Sequence, residues 1–404
     1  MSATPITDPT SDTTPSPRPP GLLPFDLVLA LSGIAIMVCS LVTLHAATAG
    51  GRGYRPDIAG DPNFYVTRQG IYFAVGAILA IGLSRLDYSR LRELKYGLYV
   101  MLMASILLVL AIGSVAKGAQ RSIQLPFFSF QASELGKVLI VLVLAAFVTD
   151  RSRSLGSRDT TARVMLLALL PAMLVMAQPD LGTALVYVVG VLALLFVAGA
   201  PWRHFAALAA LGAVSLTLVL VAAPAIGVEV LKPYQVQRLT AFLNPSGDPG
   251  DAGYQQQQSR IAIGSGEKTG RGVTNATQTG LNFLPEHHTD FIFAVVGETY
   301  GFAGAALVLS LYALLIWRGL HILTVAKNLY GALLAGGITA MLLFQIFVNV
   351  GMTVGIMPIT GVPAPLLSFG GSSMLVTFLA IGLLQSVHAQ ARDTASRKGR
   401  ATVF

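Results

Sequence analysis

Leu27–Leu44 reads LVLALSGIAIMVCSLVTL, a run without a single charged residue. Coiled as an α-helix at about 1.5 Å per residue, it nearly spans a hydrocarbon core about 30 Å thick. A second uncharged run, Phe205–Val228, is longer still. A spanning helix closes its own backbone hydrogen bonds, which lipid cannot do for it. Across all 404 residues, 54% are hydrophobic and only 11% are charged, against about 25% charged in soluble domains. A water-soluble globule is thereby excluded.

Outward from these runs, the sequence predicts an all-α polytopic membrane protein with about ten transmembrane helices. The expected spans lie near 24–45, 69–84, 97–113, 134–149, 164–178, 182–199, 204–226, 290–316, 329–353 and 372–390. Residues 1–22, rich in Pro, Ser and Thr, read as a disordered tail. They lack the basic stretch of a cleaved signal peptide, so the first span is expected to stay as an anchor. Residues 23–390 form the transmembrane domain and 391–404 a C-terminal tail. The single cysteine, Cys39, sits inside the first span and leaves no disulfide within the chain.

The net charge of +8 does not point to nucleic acid. With both termini cytoplasmic, more than half of the 27 basic residues fall in cytoplasmic segments. Examples are Arg85, Arg90, Arg92 and Lys95, and Arg151, Arg153, Arg158 and Arg163. Such clustering beside helix ends is the positive-inside signal of a cytoplasmic-membrane protein. The opposite side carries the long connections. Residues 227–289, between helices 7 and 8, make a large extracytoplasmic loop, and connections of that length are usually functional. Its prolines and glycines suggest a cap of short helices and turns. Gly351–Ser373 and Ser114–Gln131 are shorter polar stretches on the same side. No internal repeat is evident, unlike many secondary transporters.

Ionisable residues at membrane depth are costly and mark candidate sites. Glu134 and Lys137 open the fourth span at i, i+3 spacing and share a face; they form a structural pair or line a cavity. Asp180, in Gln178-Pro179-Asp180-Leu181-Gly182-Thr183, is a helix N-cap or a cavity residue. Glu298, two turns into the eighth span, reads as a packing or hydrogen-bonding residue. Asp290 follows Glu286, His287, His288 and Thr289 at the lip of an external cavity. That clustering favours a reactive site over a simple cap. Histidine and aspartate are also metal ligands. Adjacent histidines diverge on most backbones, however, and no further His or Cys lies nearby, so no dedicated metal site is expected. A divalent cation (Mg or Mn) held with a ligand's phosphates fits better. Lys117, Arg121, Lys232, Arg238, Arg260, Lys268 and Arg271 lie in the external loops. They are solvated, or they bind an anionic, phosphate-bearing ligand, where Arg is the bidentate donor.

Many short strings, in order, then resemble the SEDS family (shape, elongation, division and sporulation). They include Phe130-Gln131-Ala132-Ser133-Glu134-Leu135-Gly136-Lys137, Gln178–Thr183, Lys232-Pro233-Tyr234-Gln235 and Phe242-Leu243-Asn244-Pro245. Gly253-Tyr254-Gln255, Gln258-Ser259, Ile261–Gly266, Asn282–Glu286, His288–Ala294, Pro363–Ser368 and Phe369-Gly370-Gly371-Ser372-Ser373 follow. Ala132, Thr299 and Phe369 depart from the usual proline, acid and tyrosine. The resemblance implies a ten-helix peptidoglycan glycosyltransferase polymerising lipid II at the outer face of the membrane. Asp290 corresponds to the family's essential aspartate, and Glu134, Lys137 and Asp180 to residues around its central cavity. Arg121, Glu286, His288, Thr289, Ser259, Arg271 and Ser372 join them as candidate substrate-binding residues. Gly351–Pro363 is similar to the elongation branch, RodA, rather than the division branch, FtsW. That branch implies a class B penicillin-binding protein as transpeptidase partner. A lipid II flippase and a recruiting scaffold are the alternative readings.

Overall fold

The computed structural model describes residues 25–49, 63–116, 119–125, 128–154, 156–222, 252–281 and 283–401, with positions 224, 236, 238 and 242. The 1–22 tail, Lys117, Lys232 and most of 225–251 lie outside the described residues.

The helices are α1 (Leu27–Ala49), α2 (Phe64–Arg85), α3 (Ser89–Glu93), α4 (Lys95–Ile112), α5 (Ala132–Asp150), α6 (Arg158–Ala177) and α7 (Leu181–Val197). They continue with α8 (Trp202–Thr217), α9 (Ala252–Ser265), α10 (Gly272–Asn275), α11 (Thr277–Gly280), α12 (Ile292–Val325), α13 (Leu329–Val354) and α14 (Gly371–Ala401). Among the described residues, nine helices are long and apolar enough to cross a membrane, and α7 is a shorter apolar one. Together they account for the ten expected spans, and the chain is a multi-pass membrane protein.

Three expectations change. Ser114–Gln131 is not simply a loop: β1 (Ser114–Ala116), β2 (Ala119–Gln124) and β3 (Ser129–Phe130) pair antiparallel in that order. The pairing satisfies backbone groups where the chain leaves α4 before entering α5. The 391–404 tail does not begin as a coil, because α14 runs on to Ala401. Hydropathy marks where lipid ends, and backbone hydrogen bonding continues past that point. The eighth span, expected at 290–316, starts at Ile292, extends to Val325 and breaks inside.

Helix α5 is the axis of the bundle. It packs against α4, α7, α13 and α14, and its residues are buried almost without interruption from Ala132 to Val148. Helix α14 lies along α2, and α12 lies against α1 and α13. Helix α8 has no buried residue and touches the bundle only at its edge, through residues such as Phe205 and Leu208. Within the bundle, the NH2 groups of buried amides are tied down, since an unpaired polar group in hydrocarbon is costly, although the Gln69 and Gln178 side-chain oxygens have no partner among the described residues. Gln178 Nε2 donates to Ile106 O at 2.8 Å, and Gln69 Nε2 donates to Ser40 Oγ at 3.2 Å and Ser368 O at 3.1 Å.

The break in α12 has a local cause. Gly301 sits at φ 64, ψ −158, where its own helical bonding pattern is lost. The turn after α9 supplies the missing partners. Phe302 N donates to Glu267 O at 2.9 Å, Ala303 N to Lys268 O at 3.1 Å, and Arg271 N to Glu298 O at 2.9 Å. A segment inserted into the i→i−4 ladder is a recognised origin of kinks. It also locks the external helices to the bundle by main-chain bonds. A side chain at Gly301 would strike the Gly270 backbone, and its positive φ disfavours any residue with a Cβ. Gly301→Ala is therefore expected to lower the thermal unfolding midpoint in detergent by several degrees, and faster proteolysis within 252–281 should accompany it.

Candidate functional site

Asp290 ends the turn before α12, and its main chain is held at three successive points. Phe369 N donates to His288 O at 3.0 Å, Ser368 Oγ donates to Thr289 O at 2.6 Å, and Asn349 Nδ2 donates to Asp290 O at 2.9 Å. The same Asn349 amide donates to Val362 O at 2.8 Å, and Ala364 N donates to Ser368 Oγ at 2.8 Å. Residues 288–290 are thus strapped to α13 and to the 355–370 loop, while the Asp290 side chain stays half-buried.

Around it the turn is strained. Glu286 takes φ 54, a left-handed conformation that non-glycine residues adopt at a cost and mostly near functional sites. Its carbonyl accepts from Thr289 N at 3.1 Å and Phe291 N at 3.2 Å, and its carboxylate accepts from Thr289 Oγ1 at 3.0 Å. The His288 ring stacks on Tyr65 of α2 at 4.7 Å, and Tyr65 meets Phe369 edge-on at 4.9 Å. His287 turns inward instead, with Nδ1 3.0 Å from Leu284 O. Burial pushes its imidazole below the ordinary histidine value, only partly opposed by Leu284 and the nearby carboxylates. It is accordingly neutral near pH 7. The Arg238 guanidinium arrives from the other side: a Cβ placed on Gly361 would lie 3.6 Å from Asp290 Oδ2 and 3.8 Å from Arg238 Nη1. Carboxylate and guanidinium converge above that glycine. Among the described residues no group of three or more His, Cys, Asp or Glu side chains gathers to hold a metal.

Asp180 lies next door. Gly182 packs against Thr360 and Val362, the two neighbours of Gly361. The N-cap reading of Asp180 holds, and its second carboxylate oxygen is hydrogen-bonded as well. Oδ1 caps α7 by accepting from Thr183 N at 3.1 Å, and Oδ2 accepts from Ser133 Oγ at 2.9 Å and Gln131 Nε2 at 3.0 Å. Arg121, on β2, donates to Pro179 O. Deeper along α5, Lys137 Nζ is 2.7 Å from Glu134 Oε1 and donates to Gln345 Oε1 at 2.7 Å. All three side chains are buried. A buried charge pair of this kind survives because each member is matched and hydrogen-bonded.

Other candidates are placed differently. Ser259 Oγ donates to Thr353 O at 2.8 Å and is fully buried, fixing α9 to α13. Ser372 Oγ donates to Ser129 O at 2.6 Å and accepts from Gln131 N at 3.0 Å, joining α14 to β3. Both hydroxyls serve the fold. Arg271 is exposed and its Nε donates to Ser265 O at 3.0 Å. Glu298 is the hydrogen-bonding residue its position suggested: its carboxylate accepts from Gln278 N at 2.7 Å, and from Thr279 N at 2.9 Å and Thr279 Oγ1 at 2.6 Å. The residues missed are uncharged. Gln345, Asn349 and Thr353 are buried at i, i+4, i+8 on α13, a polar stripe through an apolar run. A search for amides as well as charges at membrane depth would have found it.

The FtsW/RodA/SpoVE model, described as a cell cycle protein, matches residues 26–393. The chain belongs to this family. It is 41% identical over 293 residues to the peptidoglycan glycosyltransferase MrdB of Escherichia coli K12, covering 72% of this chain and 76% of that one. It is 32% identical to the peptidoglycan glycosyltransferase RodA of Treponema pallidum, covering 92% and 99%. The crystal structure of Thermus thermophilus RodA superposes with a TM-score of 0.64 at 31% identity, over 91% of this chain and 98% of that one. A chain from a peptidoglycan synthase complex, whose structure concerns the coordination of polymerisation and crosslinking, superposes with a TM-score of 0.73 at 34% identity, over 91% and 98%. As a member of the FtsW/RodA/SpoVE family, the chain carries its three-carbonyl strap inside the matched region.

Asn349→Leu keeps the size but leaves the carbonyls of Asp290 and Val362 without their donor. An unsatisfied buried group costs about 1–3 kcal/mol. Hydrogen exchange across 286–291 should accelerate and the unfolding midpoint should fall, whereas exchange in α5 should change little.

Proposed function

We propose that this chain is a peptidoglycan glycosyltransferase of the elongation type, polymerising lipid II at the outer face of the cytoplasmic membrane with both termini inside. The observation that carries the reading is the fixed Asp290 carboxylate meeting a guanidinium above Gly361. The reaction needs a base for the acceptor sugar hydroxyl and positive charge on the departing diphosphate. Asp290 takes the hydroxyl proton as that oxygen bonds to the donor's anomeric carbon. The bond from that carbon to the diphosphate oxygen breaks, and the electron pair leaves with undecaprenyl diphosphate. General-base assistance of this kind is worth about 10²–10⁴-fold in rate.

Arg238 is the cation best placed to stabilise the leaving group. Arg121 and Arg271, the sequence-based choices, have guanidinium hydrogen bonds to the carbonyls of Pro179 and Ser265. A divalent cation, Mg or Mn, would be carried by the diphosphate, since the described residues offer no group of three or more protein ligands. The diphosphate's lipid tail keeps the substrate in the membrane. A class B penicillin-binding protein is the partner proposed to crosslink the product, by analogy with the synthase complex that this chain resembles.

Asp290→Asn should abolish glycan polymerisation from purified lipid II in proteoliposomes while expression and unfolding midpoint persist. Arg238→Gln should lower the rate at saturating lipid II by about 10²-fold or more, the lower range for one electrostatic donor. Retained polymerisation by Asp290→Asn would remove Asp290 from the role of base, and translocation of fluorescent lipid II without polymer would replace the synthase reading by a flippase.

A further inference from the structure

A cavity of about 530 Å³, lined by both charged and apolar side chains, opens at the opposite end of the bundle from Asp290, between the start of α1 and the ends of α12 and α14. Its floor is a buried cluster. Asp26 is almost wholly inaccessible, and its Oδ1 caps α1 by accepting from Leu29 N at 3.0 Å. Arg318 Nε donates to Asp26 Oδ1 at 3.1 Å and Oδ2 at 2.9 Å, and Arg318 Nη2 donates to Oδ2 as well. Gln385 pairs with the Asp26 main chain in both directions, at 2.8 and 2.9 Å.

What remains unmatched in this cavity is positive. Among the described residues Asp26 is the only acid lining it, and Arg318 already occupies that carboxylate. Arg392 and His321 line the mouth and are exposed. His388, only 6% exposed, lines the same cavity, and its Nδ1 has no hydrogen-bond partner. It stands 3.9 Å from Asp26 Oδ2, too far to donate. The cavity thus sets a buried imidazole between Arg318 and Arg392, with a single carboxylate beside it.

The surroundings say what carries the anion. Leu27, at the cavity wall, begins a row with Leu31, Ile34 and Val38 at i, i+4, i+7 and i+11. All four are exposed on the outside of a spanning helix, which is where acyl chains lie. Trp317 is exposed one residue before Arg318, with the guanidinium carbon 5.3 Å from its ring. Tryptophan in that setting marks the headgroup level of a bilayer. Basic pockets between helix ends at this level suit phosphodiester headgroups.

We infer that the cavity bounded by Asp26–Arg318, His321, His388 and Arg392 is a binding site for one anionic glycerophospholipid. The phosphodiester faces Arg392 and His388, and an acyl chain follows the Leu27–Val38 row. The site is separate from the Asp290 centre and does not depend on what that centre catalyses.

Native mass spectrometry of the full-length protein, released from detergent with added lipid, tests this directly. Phosphatidylglycerol should be retained as a single copy, in preference to phosphatidylcholine with the same chains. The double variant Arg392→Gln, His321→Gln should weaken that retention by about fivefold or more, the share expected for the arginine charge alone. Its lipid-free unfolding midpoint should hold, because both side chains are exposed. Arg163→Gln, which removes a charge paired with Asp159 elsewhere, should leave retention unchanged. Equal retention of the two lipids, equal loss in Arg163→Gln, or full displacement by inorganic phosphate would overturn the proposal. The last outcome would mean that the cavity reads a free anion and not a lipid.

Discussion

Three consecutive carbonyls, those of His288, Thr289 and Asp290, accept hydrogen bonds from a loop amide, a serine hydroxyl and an asparagine side chain. The position of the Asp290 main chain rests on this arrangement. A carboxylate on a free loop would sample many positions, and each ångström of misplacement weakens proton transfer sharply. Here the main chain is fixed residue by residue. The donors come from elements far apart in sequence, so the site exists only once α13 and the 355–370 loop have closed over the turn before α12. In a setting poor in water, each bond left unmade would leave a carbonyl unsatisfied. The strap is thus specific as well as stabilising.

A second constraint positions everything on that side. The kink at Gly301 exposes main-chain groups that the turn after α9 satisfies. Glu298, one turn earlier, accepts from the main chain and hydroxyl of Gln278 and Thr279. The external helices are therefore not draped over the bundle but hydrogen-bonded into it. The route from α11 through the strained Glu286 turn to Asp290 is fixed at both ends. From the other side, Gly182 against Thr360 and Val362 brings the Asp180 network up to the same loop. Asp180 then reaches Ser133, one residue before the Glu134–Lys137 pair. A continuous polar seam runs from the bundle's mouth into α5. Its carboxylates and Lys137 are hydrogen-bonded, whereas Arg121 Nε, Gln178 Oε1 and Asn349 Oδ1 beside it are buried without a partner among the described residues.

How much of this was legible beforehand depends on the kind of signal. The ten spans followed from hydropathy, because lipid penalises every unpaired backbone group and leaves helices as the simple solution. Asp290, Asp180 and the Glu134–Lys137 pair stood out because charge at membrane depth is costly. Asn349 and Gln345 did not, since an amide perturbs hydropathy far less than a charge. Ser259 and Ser372 looked like site residues in their strings, yet both hydroxyls are spent on packing. Side-chain chemistry alone cannot tell a substrate ligand from a helix tie.

The sequence by itself determined the membrane class, the number of spans, the separation of basic ends from loop-rich ends, and the residues whose burial demands an explanation. These are one-dimensional properties, fixed by transfer free energies residue by residue. The tertiary structure alone decided which donors hold residues 288–290, that Arg238 rather than Arg121 or Arg271 faces Asp290, and that Arg318, His388 and Arg392 surround Asp26. Those facts depend on which helix ends come together. Helix packing in a bilayer is set by close fits such as Gly301 on Gly270 and Gly182 on Thr360, contacts between residues that no local pattern relates.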